Sequence, residues 1–195
     1  MSIKQKSILL IVLIILIDQA SKIYIKLNFA LGDSIHVFNW FQIYFIENNG
    51  MAFGMELVDK LILTVIRILA VGGLAYFIHF LIKREARPGF ILAISLLLAG
   101  AAGNIFDSVF YGVIFNGSEG QIATFLPEGG GYAKLFYGKV VDMLYFPLIK
   151  NSAGNTIFFR PVFNIADSAI TISAAIILLF YRKDLNTHID SKKEK

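Results

Sequence analysis

Four apolar stretches dominate this chain, at about Ser7 to Leu27, Leu61 to Ile82, Gly89 to Tyr111 and Phe163 to Tyr181. Each approaches the roughly 20 residues that a helix needs to cross hydrocarbon. Lipid offers no hydrogen-bonding partners, so a backbone inside it must satisfy itself, and helices are the expected solution. Composition agrees: 56% of the residues are hydrophobic and 16% charged, against about 25% charged in soluble domains. The expectation is an all-α membrane protein, a single domain over residues 1–195, with four transmembrane helices and a small extracytoplasmic β-sheet or cradle with loops.

Charge distribution orients the spans. Lys4 and Lys6 precede the first, Lys83, Arg84 and Arg87 fill the second connection, and Arg182, Lys183, Lys192, Lys193 and Lys195 follow the last. The excess of Lys and Arg on cytoplasmic loops puts both termini in the cytoplasm. The net charge of +4 arises from these clusters, so it reports topology rather than nucleic-acid binding. The first stretch carries Asp18, Lys22 and Lys26 and lacks a small-residue cleavage site, so it is read as a retained helix. With no cysteine, disulfides, thiolate nucleophiles and Cys-bearing metal sites are excluded.

Two long connections, 28–60 and 112–162, then fall on the outer side. The run from Ile35 to Ile46 has strand-type residues with partial alternation, and its Trp40, Tyr44 and phenylalanines would anchor at headgroup level. The second connection carries Gly117, Gly120, Pro127 and the triplet Gly129, Gly130 and Gly131, followed by a strand-like stretch near Val140 to Phe146. The glycine-rich part is expected to be mobile.

Asp167 is the only charged side chain between Phe163 and Phe180, and Asp142 lies 25 residues upstream. A carboxylate in or beside hydrocarbon costs roughly 2.5 to 3.5 kcal/mol, so it usually persists for a purpose. Gly100, Asn104 and Asp107 share a helix face by their spacing of four and three, and Asn164 with Asp167 repeats the Asn-x-x-Asp pattern. If Asp142 and Asp167 meet, they share a proton at working pH. One carboxylate then takes a proton from water, which attacks a peptide carbonyl, while the protonated partner hydrogen-bonds the carbonyl oxygen. No metal and no cofactor are required.

These residues fall in blocks: Asp18-Gln19-Ala20-Ser21-Lys22, Asn48-Asn49-Gly50-Met51-Ala52-Phe53-Gly54, Gly103-Asn104-Ile105-Phe106-Asp107, Val140-Val141-Asp142 and Phe163-Asn164-Ile165-Ala166-Asp167-Ser168. In their order and topological positions the chain resembles the lipoprotein signal peptidases, or signal peptidase II, bacterial membrane aspartic peptidases with four transmembrane helices. The resemblance implies Asp142 and Asp167 as the catalytic dyad, with Asp18, Lys22, Asn48, Gly50, Gly100, Asn104, Asp107 and Asn164 binding substrate or supporting the site. It implies an aspartic endopeptidase of the bacterial cytoplasmic (inner) membrane, acting at its outer face on prolipoproteins with a diacylglyceryl-modified cysteine. The bond cut is the one just before that cysteine. Lipid-modified prolipoproteins and membrane lipid are the implied partners, and a monomer is expected.

Two departures stand out. The family arginine after Asp107 is replaced by Ser108, and Arg67 in the second helix is a candidate replacement. The stretch 113–139 is longer than usual for the family, and it suggests a lid whose trimming between Gly117 and Gly131 would alter substrate capture more than chemistry.

Blander readings stand beside these. Asp18 and Lys22 suffice as a self-neutralising pair, Arg67 as a snorkelling side chain, and Ser21, Ser168 and Ser173 as packing hydroxyls. His36, His79 and His188 form no evident ligand set. The main functional alternative is a small proton-coupled transporter, which would place its carboxylates near the midplane. A non-enzymatic assembly factor is the third.

Overall fold

The computed structural model describes residues 1–49, 59–150, 156–158 and 161–190. Gly50 and the rest of its block to Gly54 lie outside the described residues. The chain forms two compact units, one of Met1–Ile17, Val65–Gly103 and Ile165–Lys195, the other of Asp18–Thr64 and Asn104–Asn164.

Helix starts and stops follow local chemistry. Helix α1, Ile3–Asn28, opens on a reciprocal cap: the Ser2 hydroxyl accepts from the Gln5 N–H at 3.3 Å, and Gln5 Oε1 accepts from the Ser2 N–H at 2.9 Å. Helix α2, Lys60–Lys83, begins after Asp59, whose carboxylate accepts from the Leu61 N–H at 2.8 Å. Glu85, at φ 51°, breaks the chain out of α2, and Pro88 opens α3, Pro88–Phe106, where its missing N–H costs nothing. A π-helical turn at Asp107–Tyr111 and the short α4, Gly112–Ile114, prolong α3. Helix α5 covers Ile165–Phe180 and α6 covers Arg182–Asp190.

Among the described residues three helical segments, Ile3–Asn28, Lys60–Lys83 and Pro88–Ile114, are long and apolar enough to cross a membrane. The fourth expected span differs. Val162–Phe163 forms a short strand, the helix starts only at Ile165, and its 16 residues make it an apolar helix shorter than the other three.

In the first unit, Ile78, Leu81, Phe90, Ile91, Ile94, Leu98 and Ile177 form the core. Small residues let α3 and α5 approach: a Cβ at Gly100 would overlap the Ala166 carbonyl and the Ile170 side chain. Nearby, the buried Ser173 hydroxyl donates to the Ala93 carbonyl at 2.7 Å. Large apolar side chains such as Val65, Ile66 and Leu69 on α2 remain exposed.

The second unit holds the sheet. Strands β1, Ser34–Phe38, β2, Phe41–Asn48, β3, Val140–Tyr145, and β6, Val162–Phe163, form an antiparallel sheet in the order β1-β2-β3-β6. A separate two-stranded ladder joins β4, Ile149–Lys150, to β5, Thr156–Phe158. Ile25, Phe29, Phe45, Tyr111, Phe115, Val141 and Met143 pack beneath the main sheet. The strands expected near 35–46 and 140–146 are therefore present. Trp40 stacks on Phe38 and Phe146, and Phe146 stacks on Phe163, giving the hairpin an exposed aromatic end.

The 132–138 part of the second long connection, just beyond the glycine-rich stretch, is fastened to the turns that prolong α3. The N–H groups of Tyr132, Ala133, Phe136 and Gly138 donate to the carbonyls of Phe115, Gly112, Val109 and Ser108. A Cβ at Gly131 or Gly138 would strike the backbone of Gly112–Val113 or Asp107–Gly112, so these glycines permit close approach rather than motion.

Candidate active site

Asp142 sits on β3 with only 2% of its surface exposed. Antiparallel pairing sets its neighbours: Ile46 of β2 lies opposite Asp142, and Asn48 opposite Val140. From the end of β2 the Asn48 amide donates a hydrogen bond to Asp142 Oδ2. The Asn164 amide donates to the other oxygen, Oδ1, at 2.7 Å. Two neutral donors thus grip both oxygens, an arrangement that fixes the carboxylate plane without neutralising its charge.

Asn164 extends the network. Its amide nitrogen also lies 3.0 Å from Asn104 Oδ1 and 3.2 Å from the Val141 carbonyl. Asn104 Oδ1 accepts in turn from Lys22 Nζ at 2.9 Å, which fixes the orientation of the Asn104 amide. Lys22 is fully buried and pairs with Asp18 at 2.9 Å and with Asp107 at 2.8 Å. Gln19 donates to both carboxylates, at 3.1 Å to Asp18 and 2.8 Å to Asp107, and its carbonyl accepts from the Tyr111 hydroxyl at 3.1 Å. Asp107 closes the loop by accepting the Val141 N–H at 3.3 Å, one residue from Asp142.

A continuous polar path therefore runs from Asp18 and Asp107 through Lys22, Asn104 and Asn164 to Asp142. Asp18, Lys22, Asn48, Asn104, Asp107, Asn164 and Asp142 thus lie in one connected network. The cation beside Asp107, left open by Ser108, is Lys22. Ser108 bonds back to the Asn104 carbonyl at 3.0 Å, an ordinary helical contact.

Asp167 belongs to the other unit, in the first turn of α5, where the helix dipole favours a negative charge. Arg67 of α2 belongs to the same unit and exerts an electrostatic attraction on it. Gly100 also lies there, at the α3–α5 contact, with a packing role.

A second charged cluster escaped the sequence reading. Lys26, one helical turn beyond Lys22, is fully buried, pairs with Glu47 at 2.6 Å and donates to Ser118 at 2.8 Å. Its ammonium lies 5.4 Å from the Phe115 ring and 5.1 Å from that of Tyr132. Burial pushes the Tyr132 phenol above its usual range, so the ring stays neutral while its oxygen accepts the Lys139 N–H at 2.6 Å. The spacing of four from Lys22 was the signal available for Lys26; Glu47 and Ser118 carried none.

The chain is similar to known proteins over most of its length. The family model for signal peptidase (SPase) II matches residues 10–182. A lipoprotein signal peptidase of Porphyromonas gingivalis is 48% identical over 194 aligned positions, covering 94% of this chain and 86% of the relative. One from Amoebophilus asiaticus is 35% identical, covering 89% and 76%. A solved bacterial membrane enzyme with 28% identity superposes with a TM-score of 0.65 over 94% of this chain and 91% of its own. With its buried Asp142 network and a match over most of its length, the chain belongs to the signal peptidase II family.

Proposed function

We propose that this protein is the signal peptidase II of its cell, a bacterial membrane aspartic endopeptidase. It removes the signal peptide from diacylglyceryl-modified prolipoproteins by cutting just before the modified cysteine. Asp142 and Asp167 are its catalytic pair. The observation that carries the reading is Asp142 itself: a buried carboxylate held at both oxygens by the Asn48 and Asn164 amides. Asn164 immediately precedes the helix whose first turn bears Asp167, so one short segment serves both carboxylates. Membership of the family removes the ground for the transporter alternative.

In the reaction, the pair shares one proton around a water molecule. The ionised carboxylate takes a proton from the water, whose oxygen bonds to the scissile carbonyl carbon, while the protonated carboxyl hydrogen-bonds the carbonyl oxygen. As the tetrahedral intermediate collapses, the carbon–nitrogen bond breaks and the cysteine nitrogen takes up a proton from the pair. Asn48 and Asn164 meet Asp142 through their NH2 groups, and an amide is too weak a base to take a proton, so they hold Asp142 in position. Arg67 is a counter-charge for Asp167, worth more in a low-dielectric setting than at a wet surface.

The same reading has α5 as a fourth span in a single integral peptidase domain. At 16 residues it reaches about 24 Å, a few ångströms short of an average hydrocarbon core, which local thinning accommodates at modest cost. Both termini then lie in the cytoplasm and the carboxylates at the outer face. Because the chain has no cysteine, single cysteines introduced near residues 2, 86 and 120 allow a direct check. Membrane-impermeant labelling of intact cells should modify only the last.

The deciding experiment is cleavage of a lipid-modified prolipoprotein by purified Asp142→Asn and Asp167→Asn variants. Each should lose activity by roughly a thousandfold, the scale of a missing acid–base group. Folded variants that cut at the normal rate would end the proposal.

A further inference from the structure

The arm of chain that follows α4 is two-faced. Ala123 is buried with Phe115 in the core beneath the main sheet, while Ile122, Phe125 and Leu126 are 51, 53 and 63% exposed. Local bonds hold the arm in place: Asn116 Oδ1 accepts from the Thr124 N–H at 2.6 Å, and the Gln121 amide donates to the Gly117 carbonyl at 3.0 Å. Leu126 stands at φ 49°, a left-handed conformation that glycine or asparagine usually takes and that a leucine adopts at a cost. Burial in the core does not explain a leucine there, and strain of this kind gathers at functional surfaces.

Two helix ends fix the height of the arm. The segment Pro88–Ile114 has 27 residues and α1 has 26, so each rises about 40 Å at roughly 1.5 Å per residue. A bilayer with its headgroups is roughly 40 to 45 Å thick, so a span of this length ends among headgroups. The Leu126 N–H donates to the Ile114 carbonyl at 2.8 Å, and Phe125 forms a bridge with Phe115, their rings 5.6 Å apart. On the α1 side Ile122 pairs with Ala30, two residues beyond Asn28, and the Leu31 N–H donates to the Ser118 carbonyl at 2.8 Å. The arm therefore joins the ends of two spans at headgroup level. Exposed Phe106, Phe110 and Val113 lead along the second of these spans to the same point, the two rings 4.9 Å apart.

We infer that Ile122, Phe125 and Leu126 form an interfacial anchor that enters the headgroup and upper acyl region of a phospholipid bilayer. Apolar side chains at that depth exchange water for lipid, as the apolar face of an interfacial helix does. Exposed apolar patches rimmed by polar residues mark protein or membrane contacts, and the height of the arm decides for lipid. Exposed Gln121, Thr124 and Glu128, between and beside these residues, supply the polar rim. The anchor depends on insertion of the two spans and not on the chemistry at Asp142.

The test uses the full chain reconstituted in phosphatidylcholine vesicles. Because the chain has no cysteine, Ile122→Cys, Phe125→Cys and Leu126→Cys can each carry a single nitroxide label. Phe110→Cys on the span gives a lipid reference, and Glu119→Cys and Glu128→Cys, at exposed positions, give water references. Collision with dissolved oxygen reports hydrocarbon, and collision with a water-soluble nickel chelate reports water. The oxygen-to-nickel ratio at residues 122, 125 and 126 should exceed that at 119 and 128 and approach that at 110. Leu126→Asn, which suits the left-handed backbone, should lower the ratio at residue 125 toward the water references. Three labelled positions read the anchor independently, so one variant that fails to fold leaves the test standing. Ratios at 122, 125 and 126 equal to the water references would overturn the anchor. Protection from both reagents would overturn it too, since it would mean a covering protein chain instead of lipid.

Discussion

In the unit of Asp18–Thr64 and Asn104–Asn164, Asp142 is gripped at both oxygens by neutral amides and backed by a buried chain of charges. In the other unit Asp167 rests on the first turn of an apolar helix, with a helix dipole and the charge of Arg67 for support. Asp142 is positioned by a network of hydrogen bonds, whereas the unit that carries Asp167 relies on close packing where Gly100 of α3 meets Ala166 and Ile170 of α5. The two regions should therefore fail in different ways. Damage to the first should come from unpaired charge, and damage to the second from steric crowding.

The largest effect is expected at Lys22. Replacing it with Met strands Asp18 and Asp107 without their shared cation, which should cost about 3 kcal/mol or more in unfolding free energy. Thermal unfolding in detergent would measure this, and adding Asp107→Asn should recover part of the loss. A Lys22→Met protein as stable as the wild type would break the comparison at its strongest point. Next comes Asn164→Ala, which removes a donor from Asp142 and a partner from Asn104. Stability should fall by about 1 to 3 kcal/mol. Cleavage by the folded protein should fall by at least tenfold, because Asp142 is no longer aimed.

Crowding is tested by Gly100→Leu. The added side chain must displace the Ala166 carbonyl or Ile170, for a cost of roughly 1 to 3 kcal/mol. Gly72 of α2, which has open space around it, should accept alanine with no steric penalty in the same assay. The smallest effect belongs to Arg87→Ala. Its bridge to Asp184 is 3.1 Å long, but the arginine side chain is 64% exposed, so less than about 1 kcal/mol should be lost. A larger loss would mean that surface charge matters more in this unit than packing does.

Much of this was readable in the residues because long apolar runs have one solution in lipid. The expected spans 7–27 and 61–82 fall inside helices Ile3–Asn28 and Lys60–Lys83. Asn104 and Asp107 were legible as one face because helical spacing alone puts them there. Lys26 and Glu47 were not: they are 21 residues apart on a helix and a strand, and no periodicity links them. The end of the 112–139 segment was illegible for a different reason. Glycine is equally suited to motion and to close backbone contact, and only the hydrogen bonds from Tyr132, Ala133, Phe136 and Gly138 to the end of α3 distinguish the two. The late start of α5 follows from pairing of Val162 and Phe163 with Tyr145 and Leu144, a tertiary contact that hydropathy does not register.

The central claim is that Asp142 and Asp167 work as one catalytic unit despite being supported so differently. A double-mutant cycle tests it most directly, with single-turnover cleavage of a lipid-modified prolipoprotein by Asp142→Asn, Asp167→Asn and the double variant. Groups that act as a unit are strongly non-additive. The account predicts that the double variant is no slower than either single variant, each having already lost nearly all of the activity. Losses that multiply in the double variant, or a single variant that keeps its activity, would contradict it.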